Sequence, residues 1–181
     1  MVREPGTAKK RTKLRVEPKR QLERVDMTTT SEKFTPIDPD YRTRVRASFD
    51  RQTVMRTIGA TLETIEPGRT TIELPYREDL TQQHGFLHAG IIATVVDSAS
   101  GYAAFTLMPA DAAVLSIEFK INLLAPAKGE RFIADGVVVR PGRTITVCRG
   151  ELIACEGERR KTVATLQSTI MTLSDHPTLT H

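Results

Sequence analysis

Between Ala89 and Met108 one carboxylate, Asp97, stands in a run of Ile, Val, Ala, Tyr, Phe, Leu, Ser, Thr and Gly, with apolar side chains on every face of a helical wheel. A helix that is apolar all round is a buried helix. The run approaches membrane-spanning length. Asp97 and the hydroxyls at its centre, with no apolar extension on either flank, place it in a protein core instead. An Asp is rarely buried without a partner or a task. It either caps a neighbouring loop or pairs with an Arg, as many perturbed carboxylates do, or it carries chemistry.

The residues just before this helix bear on that choice. Gly85 and Gly90 flank His88-Ala89, so the backbone can turn tightly and approach a ligand closely. The first free N–H groups of the helix point out of its start, where an oxyanion or a carbonyl oxygen would bind. Ala89 and Asp97, however, are eight residues apart, about 12 Å along a helix axis. Within one chain they can hardly act on one small group. If they cooperate, a second copy of the helix supplies one of them, as a symmetric dimer with paired central helices would.

Gln82, Gly85, His88-Ala89-Gly90 and Asp97 resemble, with spacing preserved, the motif of the hotdog-fold acyl-CoA thioesterases, in particular the PaaI-like group and its 4-hydroxybenzoyl-CoA thioesterase relatives. That motif is a loop amide, a Gly, then His-Gly-Gly, then six residues and an acid. The resemblance implies that Asp97 activates water or attacks the thioester, and that Ala89 gives its N–H to the thioester oxygen. It also implies that Gln82 positions substrate or water, with Gln83 as a lesser stand-in. The chain departs from the motif at Ala89, where Gly is usual, but a backbone donor survives that change while φ stays negative. The remaining residues of the triplet, His88 and Gly90, belong to the same candidate catalytic set, His88 as a residue that orients the loop.

The 181 residues suit one domain, and 39% hydrophobic residues suffice for an ordinary core. The net charge of +4 is local: residues 1–26 hold nine Lys/Arg against four acids, leaving 17 basic and 18 acidic residues beyond. Basicity therefore gives no reason to expect a nucleic-acid partner for the folded part. Residues 1–40 lack apolar periodicity and are expected to form a disordered basic tail. The tail has no apolar core of a secretory signal, and Met27 is a candidate true start. The domain is expected over 41–175, with a short tail at 176–181. Two cysteines, Cys148 and Cys155, read as thiols of a reducing compartment, so the expected location is the cytoplasm.

Val45, Phe49, Gln52 and Met55 fall at helical spacing, predicting a helix from about Tyr41 to Met55 capped by Asp40. Ile58–Ile65 and Thr70–Tyr76 read as strands around a Pro67-Gly68 turn. After the central helix, Ala113, Leu115, Ile117, Phe119, Ile121 and Leu123 alternate strictly. They predict one apolar face, opposite a polar face of Val114, Ser116, Glu118, Lys120 and Asn122. Strands over Arg131–Arg140, Thr144–Cys155 and Lys161–Leu173 complete the set. One helix inserted after two strands and followed by four long ones makes an α+β layer: a curved antiparallel sheet of about six strands wrapped round a long central helix, the hotdog fold.

The later half of the resemblance, Glu118 to Asn122 with Ala125-Pro126 and then Gly142-Arg143-Thr144, extends the site. It implies a substrate-contacting hydroxyl at Ser116 and places the 142–144 turn near the coenzyme A tail. Arg140 and Arg143, flanking Gly142, suit phosphates because the guanidinium offers paired donors; a solvated hairpin tip is the competing reading. His84 and His88 lack a third ligand nearby, so no metal is expected, and no cofactor beyond the coenzyme A of the substrate itself. No Gly-x-Ser-x-Gly elbow, phosphate loop or dinucleotide fingerprint is present. The expected protein is an acyl-CoA thioesterase without a membrane span, a homodimer or homotetramer with active sites at the dimer interface. A non-catalytic acyl-CoA sensor and a hotdog hydratase or dehydratase are the alternatives.

Overall fold

A computed structural model describes residues 34–174. The expected tail therefore lies outside the described residues as far as residue 33, and so do residues 175–181. Two short helices, α1 (Tyr41–Arg51) and α2 (Thr53–Ile58), precede strands β1 (Thr61–Glu66) and β2 (Arg69–Pro75). A 3-10 turn over Glu78–Leu80 leads to the long helix α3 (Ala89–Phe105). Then follow β3 (Ala113–Leu123), β4 (Arg131–Arg140), β5 (Ile145–Glu156) and β6 (Arg159–Leu173). The six strands form one antiparallel sheet in the order β1-β2-β4-β5-β6-β3, with α3 against its inner face. This is the hotdog architecture that the pattern of elements predicts.

Glycine lets the helix sit so close. Gly136 of β4 and Gly150 of β5 pair across the two strands beneath α3. A Cβ at Gly136 would lie 2.3 Å from the backbone of Ala99, and one at Gly150 would lie 2.5 Å from Val96. The pair is thus a trough in the sheet that only hydrogen side chains leave open. Thr70 of β2 draws the same turn inward, its hydroxyl donating to the Ala99 carbonyl at 2.7 Å. Around this contact Phe105, Phe132, Met55, Ile72, Leu152 and Leu166 are fully buried, each contributing about 1.5–3 kcal/mol by removal from water.

The single apolar face expected of β3 does not exist. A bulge between Ser116 and Glu118 shifts the register against β6. Before it Val114 and Ser116 oppose the buried residues Thr172 and Ile170; after it Phe119, Ile121 and Leu123 oppose the buried Ser168, Leu166 and Ala164. One extra residue in a strand exchanges its two faces. Ser116 is thereby turned toward the helix, and Leu115 and Ile117 outward, about half exposed. β3 is also a sheet edge, so its outer backbone groups have no strand partner among the described residues.

The N-terminal helix differs too. It is interrupted at Gln52, whose extended backbone (φ −68°, ψ 99°) ends α1 and starts α2, and Gly59 in the left-handed conformation closes α2. The expected strand from Ile58 accordingly begins only at Thr61. Asp40 makes no side-chain cap. The buried Asp38 takes that part, accepting the Asp40 N–H at 2.9 Å and pairing with Arg44 at 2.7 Å. Arg44 in turn reaches the end of α3, donating to the carbonyls of Phe105 (3.3 Å) and Met108 (2.9 Å). The central helix stops at Phe105 rather than Met108.

Candidate active site

The loop before α3 is built to present the helix start. Gln82 and Gly85 close a tight turn, the Gly85 N–H donating to the Gln82 carbonyl at 2.9 Å, with Gly85 at φ +76°. That conformation favours glycine. The loop is tied down by Leu87 N–H to Ala127 O and His88 N–H to Leu80 O, both 3.0 Å. The Gln82 side-chain oxygen accepts the His84 N–H within the turn. Gln83 is exposed and its amide meets the His84 ring at 3.4 Å.

His88 is the N-cap of α3. Its Nδ1 accepts the Gly90 N–H at 2.9 Å, so in the neutral ring the proton sits on Nε2. The His88 carbonyl accepts from both Ile91 (3.0 Å) and Ile92 (3.1 Å). Among the first four N–H groups of the helix, that of Ala89 alone has no acceptor among the described residues, and Ala89 is exposed. The positive end of the helix dipole coincides with that free donor. Gly90, of the same candidate set, has its N–H engaged by His88.

Two turns along, Asp97 is half-buried and accepts a hydrogen bond from Ser116 Oγ at 2.8 Å. Burial raises its carboxyl above the ordinary range, and the Ser116 hydroxyl only partly offsets this. Both residues line a cavity of about 250 Å³ with Gln52, Ser98, Gly101, Tyr102, Val114 and Leu115. Gln52 has no place among the sequence-derived candidates. Its signal was a polar residue at a core-facing position of an otherwise apolar stripe. The Cys148 thiol, buried in the sheet, is pushed up to about 12 by burial, and stays a neutral thiol rather than a nucleophile.

The remaining candidates are not brought to the helix start within one chain. Arg140 at the end of β4 and Gly142 and Arg143 in the β4–β5 connection are exposed, and Arg140 and Arg143 have no ion pair among the described residues. That connection lies at the end of the sheet where Val138 bonds Gly68, and Gly68 bonds Thr106 just beyond α3. The helix start is anchored at the other end, on Ala127. Among the described residues no group of three or more His, Cys, Asp or Glu could hold a metal ion. No helix there is long and apolar enough to cross a membrane.

Comparison with known proteins agrees with this geometry. The thioesterase superfamily model matches residues 84–161, from the loop before α3 to the start of β6. A crystal structure of a thioesterase family protein from Silicibacter pomeroyi is 53% identical, covering 74% of this chain and 98% of that one, with a TM-score of 0.73. Human acyl-coenzyme A thioesterase 13 is 29% identical over 114 residues, 62% of this chain and 81% of its own length. The PaaI protein of E. coli, from the phenylacetic acid degradation operon, shares the fold at 17% identity, with a TM-score of 0.68 over 75% of this chain and 94% of that one. The chain belongs to the thioesterase superfamily: it is a hotdog-fold thioester hydrolase.

Proposed function

We propose that the chain hydrolyses an acyl-CoA thioester to the free acid and coenzyme A, at a site shared between two copies. The observation that carries this reading is the Asp97 carboxylate, half-buried at the wall of a cavity, with Ser116 as its hydrogen-bond donor. Ionised, it serves as general base on water or as nucleophile on the thioester carbonyl. The developing oxyanion needs a preorganised donor, and the free N–H of Ala89 at the helix start is suited to that. Because Ala89 and Asp97 stand about 12 Å apart on one helix, the partner subunit's Ala89 is the one assigned to act with Asp97.

The edge strand β3 supports such a pairing. Among the described residues its outer side is an unpaired ladder, and Leu115 and Ile117 on this strand are 52% and 50% exposed. An exposed apolar edge strand seeks a partner strand, and a two-fold axis there would bring a second helix beside the Asp97 cavity. His88 and Gly90 hold the loop and helix start in place, and Gln82 orients the turn. Ser116 adjusts Asp97. Arg140 and Arg143 with Gly142 form a cationic turn for the phosphates of coenzyme A, and Gln83 lies exposed for substrate contact. No further cofactor enters, and the buried free cysteines suit a reducing cytoplasm. A hydratase would need a histidine aimed at the substrate, whereas the His88 Nδ1 caps the helix.

The test is coenzyme A release from a panel of acyl-CoAs by wild type and Asp97→Asn. Turnover that disappears in the variant supports the reading. Undiminished turnover removes Asp97 from the mechanism, and binding without turnover in wild type indicates an acyl-CoA sensor.

A further inference from the structure

The turn Glu78–Leu80 ahead of α3 has no fully buried residue, and Leu80 is only partly packed against the core. Polar ties therefore carry much of its placement, and Arg77 supplies three of them. Its Nε and Nη2 donate to the two carboxylate oxygens of Asp79 at 3.0 and 2.5 Å, and its Nη1 donates to the Thr57 carbonyl at 2.8 Å. An ion pair between two exposed groups holds little by itself. The bond to Thr57 is of another kind, because the last carbonyls of a helix lack helical partners. Beyond α2 the N–H groups of Gly59 and Ala60 turn back to Arg56 (3.3 Å) and Met55 (2.9 Å). Among the described residues the Thr57 carbonyl is left to Arg77. One guanidinium thus joins the end of α2 to the turn.

From that turn the ties run on to the helix start. The Leu80 N–H donates to the Arg77 carbonyl at 3.1 Å, and the Leu80 carbonyl accepts the His88 N–H at 3.0 Å. His88 Nδ1 accepts the Gly90 N–H at 2.9 Å. The free N–H of Ala89 lies along the chain between these two bonded N–H groups.

We propose that Arg77 is a positioning residue for thioester hydrolysis: it holds the Glu78–Leu80 turn to α2 and, through Leu80 and His88, keeps the Ala89 N–H aimed at the thioester oxygen. This rests on the reading of the Ala89 N–H as the oxyanion donor. Such a donor stabilises the developing charge only where it is already in place, and a misplacement of about 1 Å can cost on the order of a hundredfold in rate. Arg77 itself touches none of the reacting atoms and acts through the turn. The loop has a second anchorage, the Leu87 N–H on the Ala127 carbonyl, which ties it to the β3–β4 connection. Removing Arg77 leaves that anchorage and frees the turn from α2.

The experiment measures kcat and KM by coenzyme A release, on whichever of acetyl-, decanoyl- and benzoyl-CoA wild type turns over fastest. The proteins are wild type, Arg77→Ala, Ala89→Pro and the double variant of the two. Arg77→Ala is expected to lower kcat and kcat/KM together by about tenfold, as loss of an interaction made in the transition state does. In the Ala89→Pro protein there is no N–H left to aim, so adding Arg77→Ala should change kcat by less than about twofold. A merely structural Arg77 would lower both backgrounds alike. The side chains of Arg77 and Asp79 are 38% and 64% exposed, and Asp79→Ala, which loosens the same turn without touching α2, takes the place of Arg77→Ala should that variant fail to fold. An unmoved kcat, or an equal loss with and without the Ala89 N–H, overturns the inference and leaves the catalytic reading standing. Wild-type kcat in Ala89→Pro, or no turnover at all in wild type, overturns that underlying reading, and this one with it.

Discussion

The hydroxyl of Ser116 donates to the Asp97 carboxylate at 2.8 Å across the gap between β3 and α3. Burial raises the Asp97 pKa and this bond lowers it, burial being the larger. A base must be ionised to act, so kcat/KM should decline with acidification at a midpoint above the ordinary carboxylate range. Ser116→Ala removes the lowering contribution, and the acid limb should then move to higher pH. The check is a pH–rate profile of both proteins; an unmoved limb would detach Asp97 from the essential ionisation.

The same shift has a consequence for stability. The folded Asp97 holds its proton more tightly than the unfolded one, so the favourable contribution exists at low pH and is lost as pH rises through the raised folded value. At neutral pH the ionised carboxylate is a burden on the fold. Asp97→Asn keeps the shape and can still accept from Ser116. It should melt at the same temperature as wild type or higher at pH 7, with the difference shrinking toward pH 4, as thermal melts at the two pH values would show.

Ala89 offers a clean removal of a backbone donor. It is the first residue of α3, its N–H bonds nothing in the fold among the described residues, and His88 before it has φ −63° and ψ 138°. Proline is at home in the first helical position, and the preceding residue already has the extended backbone proline requires. Ala89→Pro should therefore fold normally while kcat drops by about 10²–10³. Mixed with Asp97→Asn after reversible unfolding, it should recover about a quarter of wild-type activity, because half of random dimers are mixed and each has one intact composite site. No recovery would place both groups in one chain's site.

Arg44 ties the N-terminal helix to the end of the central one. Its Nε pairs with the buried Asp38, its Nη2 meets the carbonyls of Phe105 and Met108, and its guanidinium lies 4.1 Å from the centre of the Phe105 ring. Arg44→Ala takes the guanidinium from the buried Asp38 carboxylate and from the Met108 carbonyl, a loss of about 2–4 kcal/mol. Arg44→Lys should recover little of it, since one ammonium cannot serve all three acceptors. Chemical denaturation of the three proteins measures this.

Periodicity over Ala89–Phe105 and in β4, β5 and β6 was enough to predict a buried helix wrapped by an antiparallel sheet, and the motif around His88 marked the helix start. Alternation in β3 misled, because a bulge has no signature in the hydrophobic pattern: Ile117 is simply one more apolar residue until the hydrogen-bonded partner strand skips it. The break at Gln52 has no signature in the pattern either. The apolar stripe of Val45, Phe49 and Met55 runs straight across it, and the interruption is visible only in the backbone that turns Gln52 toward the cavity.

By itself, then, the sequence determined what local chemistry controls: the elements, the buried carboxylate Asp97 on an apolar helix, and a glycine-flanked helix start with donors to offer. Only the tertiary structure decided which residues meet. Strand register set Ser116 rather than its neighbours against Asp97, paired Gly136 with Gly150 beneath the helix, left Gly101 over open space and put Arg140 and Arg143 at the far end of the sheet. Such meetings join residues tens of positions apart through long-range packing and register, and a one-residue shift in a strand reverses every side chain beyond it.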